Sequence, residues 1–322
     1  MPGNPEPIIA RGIRQLRQAG IENPEREGIR LAALSLRQPS LEAFWRENPV
    51  WDAEAAALFD DLVARRSRHE PYAYLTGERE FFGLRLFTPR GVLIPRPETE
   101  HLVESVLAHT EDSAPLTVVD VGTGSGAVAL ALVSERRSWS VWASDIGCWP
   151  LLVAQVNMVR LGLPLRVFRD DLLSKTTLRF DVIVANLPYI DRADAQALSA
   201  ETAYEPEDAL FAEDGGLALI GRLIKEAPGH LNRRGRIFLE VGMGQARRVQ
   251  DLLLAEGFRG VAALSDLAGI ERVVYGWWPR ERREHEKGGT LNESAHERRD
   301  VIRSLGLRGA TETDRRPLGA GG

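Results

Sequence analysis

The sequence contains a single cysteine, Cys148, and no uninterrupted apolar run of about 18 residues, the length that a membrane-spanning helix requires. One cysteine excludes an internal disulfide and any metal site built from several cysteines, and we expect no bound metal. The N-terminal stretch MPGNPEPIIARG lacks the charged-then-apolar order of a signal peptide. These absences lead us to expect a cytoplasmic protein that does not contact a membrane.

The sequence also lacks an excess of basic residues. Its 41 lysines and arginines are outnumbered by 46 aspartates and glutamates, which gives a formal net charge of −5. General nucleic-acid binders carry a basic balance, so we expect no direct contact with nucleic acid, although a local basic face stays open. Hydrophobic residues make up 43% of the 322 residues, enough to bury the cores of one large and one small domain, or of two medium ones.

No aromatic residue follows Trp278. The remaining sequence is rich in arginine, glutamate and glycine, so it cannot bury enough apolar surface to offset the entropy of ordering. We predict that residues 281–322 form a disordered tail, with room for one short helix around Ser294–Leu305.

Residues 1–75 are predicted to form a small helical domain, because apolar residues recur there at helical spacing. Asn23 followed by Pro24 predicts a helix N-cap with proline in the first turn. Ser40 and Asp52 are candidates to cap two further helices. We expect this small domain to pack on the larger one or to hold something for it.

Residues 76–110 are predicted to form a β-hairpin linker, since EFFGLRLFTPRGVLIP alternates and contains turn residues. Strands and helices then alternate over residues 111–280, which predicts an α/β domain with a mostly parallel, doubly wound sheet. We place strands near Thr117–Val121, Ser140–Asp145, Leu165–Arg169, Asp181–Asn186, Arg236–Val241, Val261–Ser265 and Arg272–Trp278. We place helices near Ala127–Glu135, Leu151–Leu161, Leu217–His230 and Gln245–Glu256. The last two strands have only a short connection, so they should pair antiparallel.

A glycine-rich loop follows the first strand of this sheet and opens a helix. It comprises Gly122, Thr123, Gly124, Ser125 and Gly126. Glycines let backbone N–H groups approach a ligand closely, and a helix N-terminus favours polar acceptors. Asp145 ends the next strand, where a carboxylate can accept both hydroxyls of a ribose. Together they predict a nucleoside-containing cofactor; the alternative is a tight turn and a helix-capping aspartate.

The glycines alone do not identify the cofactor, since they also fit the GxGxxG/A pattern of dinucleotide sites. Three features favour S-adenosylmethionine. Asp120, just before the loop, can hold the amino group of a methionyl moiety; the antiparallel final strand fits a seven-stranded methyltransferase sheet; and Asn-x-Pro-Tyr follows the fourth strand. Asp170 and Asp171 follow the third strand and can reach an adenine amino group, or else they cap the next turn.

A buried strand within FDVIVANLPYI runs directly into Asn186, Leu187, Pro188 and Tyr189. Ligands of open α/β sheets bind beyond the carboxyl ends of the strands. The sequence therefore places an amide, a proline turn and an aromatic ring where chemistry is expected. The alternative is an Asn-x-Pro turn with the tyrosine packed on the surface.

Seven segments of the sequence resemble the HemK/PrmC family. They are EPYAYLTGEREFFGL, VLIPRPETEHLVE, VVDVGTGSGAVALAL, FDVIVANLPYI, YEPEDALFAEDG, RIFLEVGMGQ and DLAGIERVV. The resemblance covers roughly residues 1–280. Members of this family are glutamine N5-methyltransferases that modify the Gly-Gly-Gln motif of class 1 peptide chain release factors. The Arg-Pro-Glu-Thr-Glu segment separates them from related ribosomal-protein glutamine methyltransferases.

The resemblance implies a seven-stranded class I (Rossmann-like) S-adenosylmethionine-dependent methyltransferase sheet with a small N-terminal helical domain that helps to receive the release factor. The glycine loop and Asp145 would contact S-adenosylmethionine, with Leu172 where some relatives place an aromatic residue beside the adenine. Asn186 to Tyr189 would hold the target glutamine. We expect a monomeric enzyme that needs no metal.

The chemistry of an amide explains why such residues are needed. The nitrogen lone pair is delocalised into the carbonyl, so the amide is a poor nucleophile. The Asn186 side-chain oxygen and the Leu187 backbone carbonyl can accept hydrogen bonds from the two N–H groups of the amide and so orient its nitrogen. Tyr189 can stack over the planar amide.

The sequence departs from the family pattern in two places. Leu187 replaces the first proline of Asn-Pro-Pro-Tyr, and Gly147, Cys148 and Trp149 replace the usual Ser-Pro-acid stretch. Asn-Leu-Pro-Tyr instead resembles the adenine dimethyltransferases of ribosomal RNA. Two alternatives therefore stay open: a nucleic-acid adenine N-methyltransferase, and a catalytically weakened homologue that only binds a translation factor.

Overall fold

The computed structural model describes residues 5–38, 44, 51–111 and 114–279. The predicted tail, 281–322, and the candidate cap Ser40 lie outside these residues. Across the described part of the chain, no helix has both the length and the apolar character needed to cross a membrane.

The structure contains helices along the whole described chain. They are Pro5–Gln18, Pro24–Ser35, Ala53–Arg66, Tyr72–Thr76, Glu100–Ala108, Ala127–Glu135, Cys148–Leu161, Glu213–Gly216, Ala218–His230 and Ala246–Glu256. Short 3₁₀ turns occur at Pro97–Thr99, Arg192–Ala197, Thr202–Tyr204 and Glu207–Ala209. The first helices enclose a small apolar core in which Leu16, Leu31 and Phe59 are fully buried.

The two predicted N-caps behave differently. The Asp52 side chain accepts a hydrogen bond from the Ala55 backbone N–H at 2.7 Å, which confirms its capping role. A helix does begin at Pro24, as predicted, but the Asn23 side chain makes no capping bond. Asn23 has a φ of 49° instead of the extended backbone that lets a cap side chain reach forward, so it occupies the predicted N-cap position without a side-chain bond.

Two sheets follow. Strands β1 (Glu78–Phe81) and β2 (Leu84–Phe87) form the predicted antiparallel hairpin. The large sheet contains β3 (Thr117–Val121), β4 (Ser140–Asp145), β5 (Arg166–Arg169), β6 (Phe180–Ala185), β7 (Leu231–Glu240), β8 (Arg259–Ser265) and β9 (Glu271–Trp277). Its strand order is β5-β4-β3-β6-β7-β9-β8. Strand β9 runs in the direction opposite to that of the other six strands and pairs antiparallel with both β7 and β8. The predicted seven-stranded α/β fold, with its antiparallel final pair, is confirmed.

The strand order places a topological switch between β3 and β6. The chain moves outward from β3 through β4 to β5, and then returns to the other side of β3 as β6. Crevices open at such points beyond the carboxyl ends of the strands. Both faces of the sheet are covered: Val118 and Val182 pack in one core, while Val119 and Ile183 pack in the other.

The predicted element bounds differ from the observed ones in two instructive places. The helix predicted from Leu151 begins at Cys148, since Pro150 is tolerated in a first helical turn and the Gly147 N–H is held by the Asp145 side chain. Strand β7 begins at Leu231, ahead of the predicted Arg236, because its first residues continue across an irregularity in the pairing with β6.

The two caps give a paired stability prediction. Asp52→Ala removes the bond to the Ala55 N–H and should lower the free energy of unfolding by about 1 kcal/mol. Asn23→Gly removes no side-chain bond and suits the positive φ, so it should leave stability unchanged or raise it. Urea unfolding followed by circular dichroism measures both, and equal losses would contradict the assignment of the caps.

Candidate active site

The candidate site forms where two strand ends lie side by side. Strands β3 and β6 pair in parallel, with Val121 opposite Ala185. The glycine loop therefore begins beside Asn186. The pairing of β3 with β4 brings the end of β4, with Asp145, to the same edge.

The glycine loop is built for close approach of a ligand. Gly122, Gly124 and Gly126 have φ values of 74°, 56° and 84°, a region that side chains other than glycine rarely adopt. The Gly122 and Thr123 N–H groups each donate to the Ser144 carbonyl at 2.9 Å, which anchors the loop on β4. A Cβ atom added at Gly124 would meet no atom within 4 Å, so open space adjoins this part of the loop.

Asp120 lies under the loop and is only 2% exposed. Its Oδ2 accepts hydrogen bonds from the Thr123 hydroxyl at 2.6 Å and the Ala129 N–H at 3.2 Å. Burial raises the pKa of this carboxyl to about 7, an effect that the two hydrogen bonds partly offset. Asp120 thus ties the loop to the first turn of the following helix.

Asp145 is half-buried at the end of β4. Its two oxygens accept from the Gly124 N–H at 3.0 Å and the Gly147 N–H at 2.9 Å. Burial raises its pKa, and these backbone donors oppose the rise. The carboxylate is therefore held directly against the glycine loop.

The predicted adenine contacts occupy the exit of β5. The Asp171 carboxylate pairs with Arg222 at 3.0 Å, while the Asp170 carboxylate accepts from the Lys175 and Thr176 N–H groups. Asp170 therefore caps the turn, the alternative open in the sequence. Leu172 is buried, with a φ of 57°. The Asp170 backbone N–H donates to the Asp145 carbonyl at 3.1 Å, which fastens this turn to the candidate site.

Asn186 is oriented by a residue far away in the sequence. Its Nδ2 donates to the Thr99 Oγ1 at 3.0 Å. Thr99 is buried at the start of the Glu100–Ala108 helix. Because the nitrogen of the Asn186 amide is engaged by Thr99, its carbonyl oxygen is the end left to accept a donor from a ligand.

The other residues of the Asn186–Tyr189 segment are held from several sides. Leu187 is buried against the glycine loop, since a Cβ added at Gly122 would lie 2.8 Å from its Cδ2. Pro188 is half-buried. The Tyr189 hydroxyl lies 3.4 Å from Glu240 Oε1, and burial raises the pKa of Tyr189 to about 12.

A glutamine fixes the backbone of this segment. Gln245 Nε2 donates to the Tyr189 carbonyl at 2.8 Å and to the Gly215 carbonyl at 2.9 Å, while its Oε1 accepts from the Gly242 N–H at 2.8 Å. Gly216 is packed directly against the same carbonyl: a Cβ there would lie 1.9 Å from the Tyr189 oxygen. The exit of β6 is thus clamped between two other loops.

Sequence reasoning did not assign a role to Thr99, Glu240, Gln245 or Asn157. Asn157 is fully buried and bonds to both the N–H and the carbonyl of Phe87 and to the Ser125 carbonyl, so it joins the hairpin to the glycine loop. Glu240 could have been selected from the sequence, because an acidic residue at the end of the apolar strand RIFLE is unusual.

Comparisons with known proteins show what this chain is similar to. A family model described as the PrmC N-terminal domain matches residues 8–77, and one described as the methyltransferase small domain matches residues 99–222. The release factor glutamine methyltransferase of Burkholderia pseudomallei is 41% identical, with 77% of this chain and 90% of that protein covered. That of Streptococcus pneumoniae is 36% identical, covering 79% and 92%.

A solved structure supports the fold alone. The hMettl16 catalytic domain, in complex with MAT2A 3'UTR hairpin 1, superposes with a TM-score of 0.51 and 15% identity. The match covers 81% of this chain and 93% of that chain.

Gly216 tests the clamp on the Tyr189 carbonyl. Gly216→Ala should destabilise the protein, since the methyl group overlaps that carbonyl and the residue has a φ of 81°. We expect a loss of about 1–3 kcal/mol from overpacking and of roughly 1–2 kcal/mol from the left-handed backbone. Gly221→Ala is the matched control in the next helix, where a Cβ meets nothing within 4 Å. Thermal unfolding compares the two, and equal melting temperatures would refute the clamp.

Proposed function

Because the chain belongs to the release factor glutamine methyltransferase family, we propose that it transfers a methyl group from S-adenosylmethionine to the side-chain amide nitrogen, N5, of the glutamine in the Gly-Gly-Gln motif of class 1 release factors. The observation that carries this proposal is the orientation of Asn186. Its nitrogen donates to Thr99, which leaves an oxygen acceptor beside the glycine loop. A glutamine amide has the matching N–H donors.

The residues at the end of β3 and β4 fit S-adenosylmethionine. The glycine loop, Gly122 to Gly126, faces open space at Gly124, and Asp145 is held against it as an acceptor for ribose hydroxyls. Asp120 would hold the amino group of the methionyl moiety, and Asp171 and Leu172 would contact the adenine. When bound, this cofactor would supply a methyl group on a positively charged sulfur. The amide nitrogen would take the methyl group by direct displacement, the sulfur would leave as a neutral thioether, and the nitrogen would release one of its protons to water.

Four residues prepare the substrate amide. The Asn186 oxygen and the Leu187 backbone carbonyl accept hydrogen bonds from the two N–H groups of this amide. These bonds orient the amide nitrogen and stabilise the positive charge that develops on the nitrogen during methylation. Pro188 stiffens the turn that presents these two acceptors. The ring of Tyr189 covers the amide plane.

We also propose that residues 1–75 form the substrate-recognition domain, residues 76–110 the hairpin linker and residues 111–280 the methyltransferase domain. The helical domain contacts the loop beyond the site: Arg66 pairs with Glu201 at 2.6 Å, and the Tyr204 hydroxyl donates to the Arg68 carbonyl at 2.7 Å. A release factor seated on the helices would thus touch the loop over the site. The proposal places a monomeric enzyme in the cytoplasm, where translation occurs.

The test is incubation of a purified class 1 release factor with the protein and S-adenosylmethionine, followed by peptide mass spectrometry. We expect one added methyl group on the glutamine of the Gly-Gly-Gln loop. A parallel reaction with ribosomal RNA tests the alternative that the protein methylates adenine in a nucleic acid. Methylated adenine with unmodified release factor would overturn the proposal in favour of a nucleic-acid methyltransferase.

The cofactor site yields a binding prediction. Asp145→Ala removes the acceptor for the ribose hydroxyls and should weaken S-adenosylmethionine binding by roughly 1–3 kcal/mol, the cost of leaving polar groups unpaired. Isothermal titration calorimetry measures the affinity, with NAD as the control ligand. Tight binding of NAD without binding of S-adenosylmethionine would contradict the assignment.

Position 187 separates an active enzyme from a weakened one. Its proposed role uses the backbone carbonyl, and proline would add rigidity worth about 0.4–1 kcal/mol, a factor of roughly two to five in rate. Leu187→Pro should therefore change methylation by less than about tenfold, whereas Asn186→Ala removes the acceptor itself and should cost about a hundredfold or more. Single-turnover rates test both. A nearly inert wild type that Leu187→Pro activates about a hundredfold would favour the weakened homologue.

A further inference from the structure

Glu240 is a buried carboxylate beside the Asn186–Tyr189 segment. It ends strand β7, next to β6, and is only 2% exposed. Its Oε1 lies 3.4 Å from the Tyr189 hydroxyl. Its Oε2 is buried and has no partner with full hydrogen-bond geometry within the described residues. Burial of such a group is costly unless it is used, so Glu240 requires an explanation.

Thr99 connects this carboxylate to Asn186. The Thr99 Oγ1 accepts the Asn186 Nδ2–H at 3.0 Å, so its single hydroxyl hydrogen remains to be donated elsewhere. Among the described residues, Glu240 Oε2 is a buried acceptor without a partner, and the Thr99 side chain is one of the groups that lower the pKa of this carboxylate, so the spare donor and the spare acceptor are complementary. A threonine hydroxyl that donates to a carboxylate can only accept from Asn186. This arrangement distinguishes the two ends of the Asn186 amide.

We propose that Glu240 is a positioning residue that orders both ends of the Asn186–Tyr189 segment. The ionised carboxylate holds the Thr99 hydroxyl as an acceptor for the Asn186 Nδ2–H, so the Asn186 oxygen faces the substrate amide. The same carboxylate accepts from the Tyr189 hydroxyl and steadies the ring. If the side-chain amide of Asn186 were rotated by half a turn, its N–H groups would face the N–H groups of the substrate amide. This inference rests on the proposed function.

The surroundings of Glu240 set the pH range in which this orientation holds. Burial raises its pKa to about 7, and Glu98 adds to the rise; Thr99, Arg272 on β9 and the Tyr189 hydroxyl lower it. Because the orienting form is the ionised one, activity gained from Glu240 should appear as pH rises through about 7 and be lost below it. Asp120 titrates in the same range, so only a comparison between variants isolates Glu240.

The experiment compares wild type with Glu240→Gln. We expect kcat/KM for a release factor to fall by about tenfold, less than the roughly hundredfold typical of a group that touches reacting atoms. The S-adenosylmethionine Kd should stay within about twofold, since Glu240 ends β7, which β6 separates from β3 and its glycine loop. The acid limb of the kcat/KM profile should flatten. Asp181→Asn is the matched control, because Asp181 follows the first residue of β6 at the opposite end of the sheet. The rate of this variant should match that of wild type.

Thr99 variants keep the test decisive if Glu240→Gln folds poorly. Thr99→Val keeps the shape but removes the hydroxyl and should reproduce the loss, whereas Thr99→Ser restores the hydroxyl and should recover most of the activity. A second readout does not depend on turnover. The nitrogen-15 signal of the Asn186 side-chain amide, assigned by its loss in Asn186→Ala, should shift with pH near 7 in wild type and stay fixed in Glu240→Gln.

The outcomes separate this inference from the function on which it rests. If wild type methylates release factor and Glu240→Gln loses less than about twofold with an unchanged pH profile, Glu240 has no positioning role. If wild type leaves release factor unmodified, the proposed function fails, and the Asn186 signal alone decides about Glu240. If the nitrogen-15 signal of Asn186 shifts equally with pH in wild type and in Glu240→Gln, the inference is overturned.

Discussion

The parallel pairing of β3 with β6 is the constraint on which the candidate site depends. It places Gly122 and Asn186 next to each other, although they are far apart in the sequence. A one-residue slip would turn every side chain of β6 to the other face and move its apolar residues out of their cores. The same hydrophobic packing that fixes the register of the sheet therefore also fixes the distance between the glycine loop and the Asn186–Tyr189 segment.

Each of the two loops has a carboxylate buried beneath it. Asp120 lies under the glycine loop and Glu240 under the Asn186–Tyr189 segment, and burial raises the pKa of both to about 7. Apolar residues at these positions would be less costly to bury. Asp120 instead accepts hydrogen bonds from the Thr123 hydroxyl and the Ala129 N–H, and Glu240 accepts from the Tyr189 hydroxyl. These contacts tie each carboxylate to the loop above it.

The sequence predicts the local features well and the long-range contacts poorly. Periodicity and glycine spacing are sufficient for the strands, the loop and the antiparallel final pair, because these depend on neighbouring residues. The bond from Asn186 to Thr99 spans 87 positions, and that from Gln245 to Tyr189 spans 56. No spacing rule selects one threonine or glutamine among many. The family resemblance indicated the segments that contain them, but the contacts emerge only from the packed sheet.

Leu187 shows how the structure accommodates a departure from the family pattern. Proline would restrict the turn through its fixed φ. Leucine lacks that restriction, but its side chain is buried and reaches over Gly122, where a Cβ would lie 2.8 Å from its Cδ2. Gln245 holds the Tyr189 carbonyl two residues later. Packing against the glycine loop and the clamp on the following backbone can thus replace the rigidity of a proline, while the carbonyl that the proposed reaction uses stays in place.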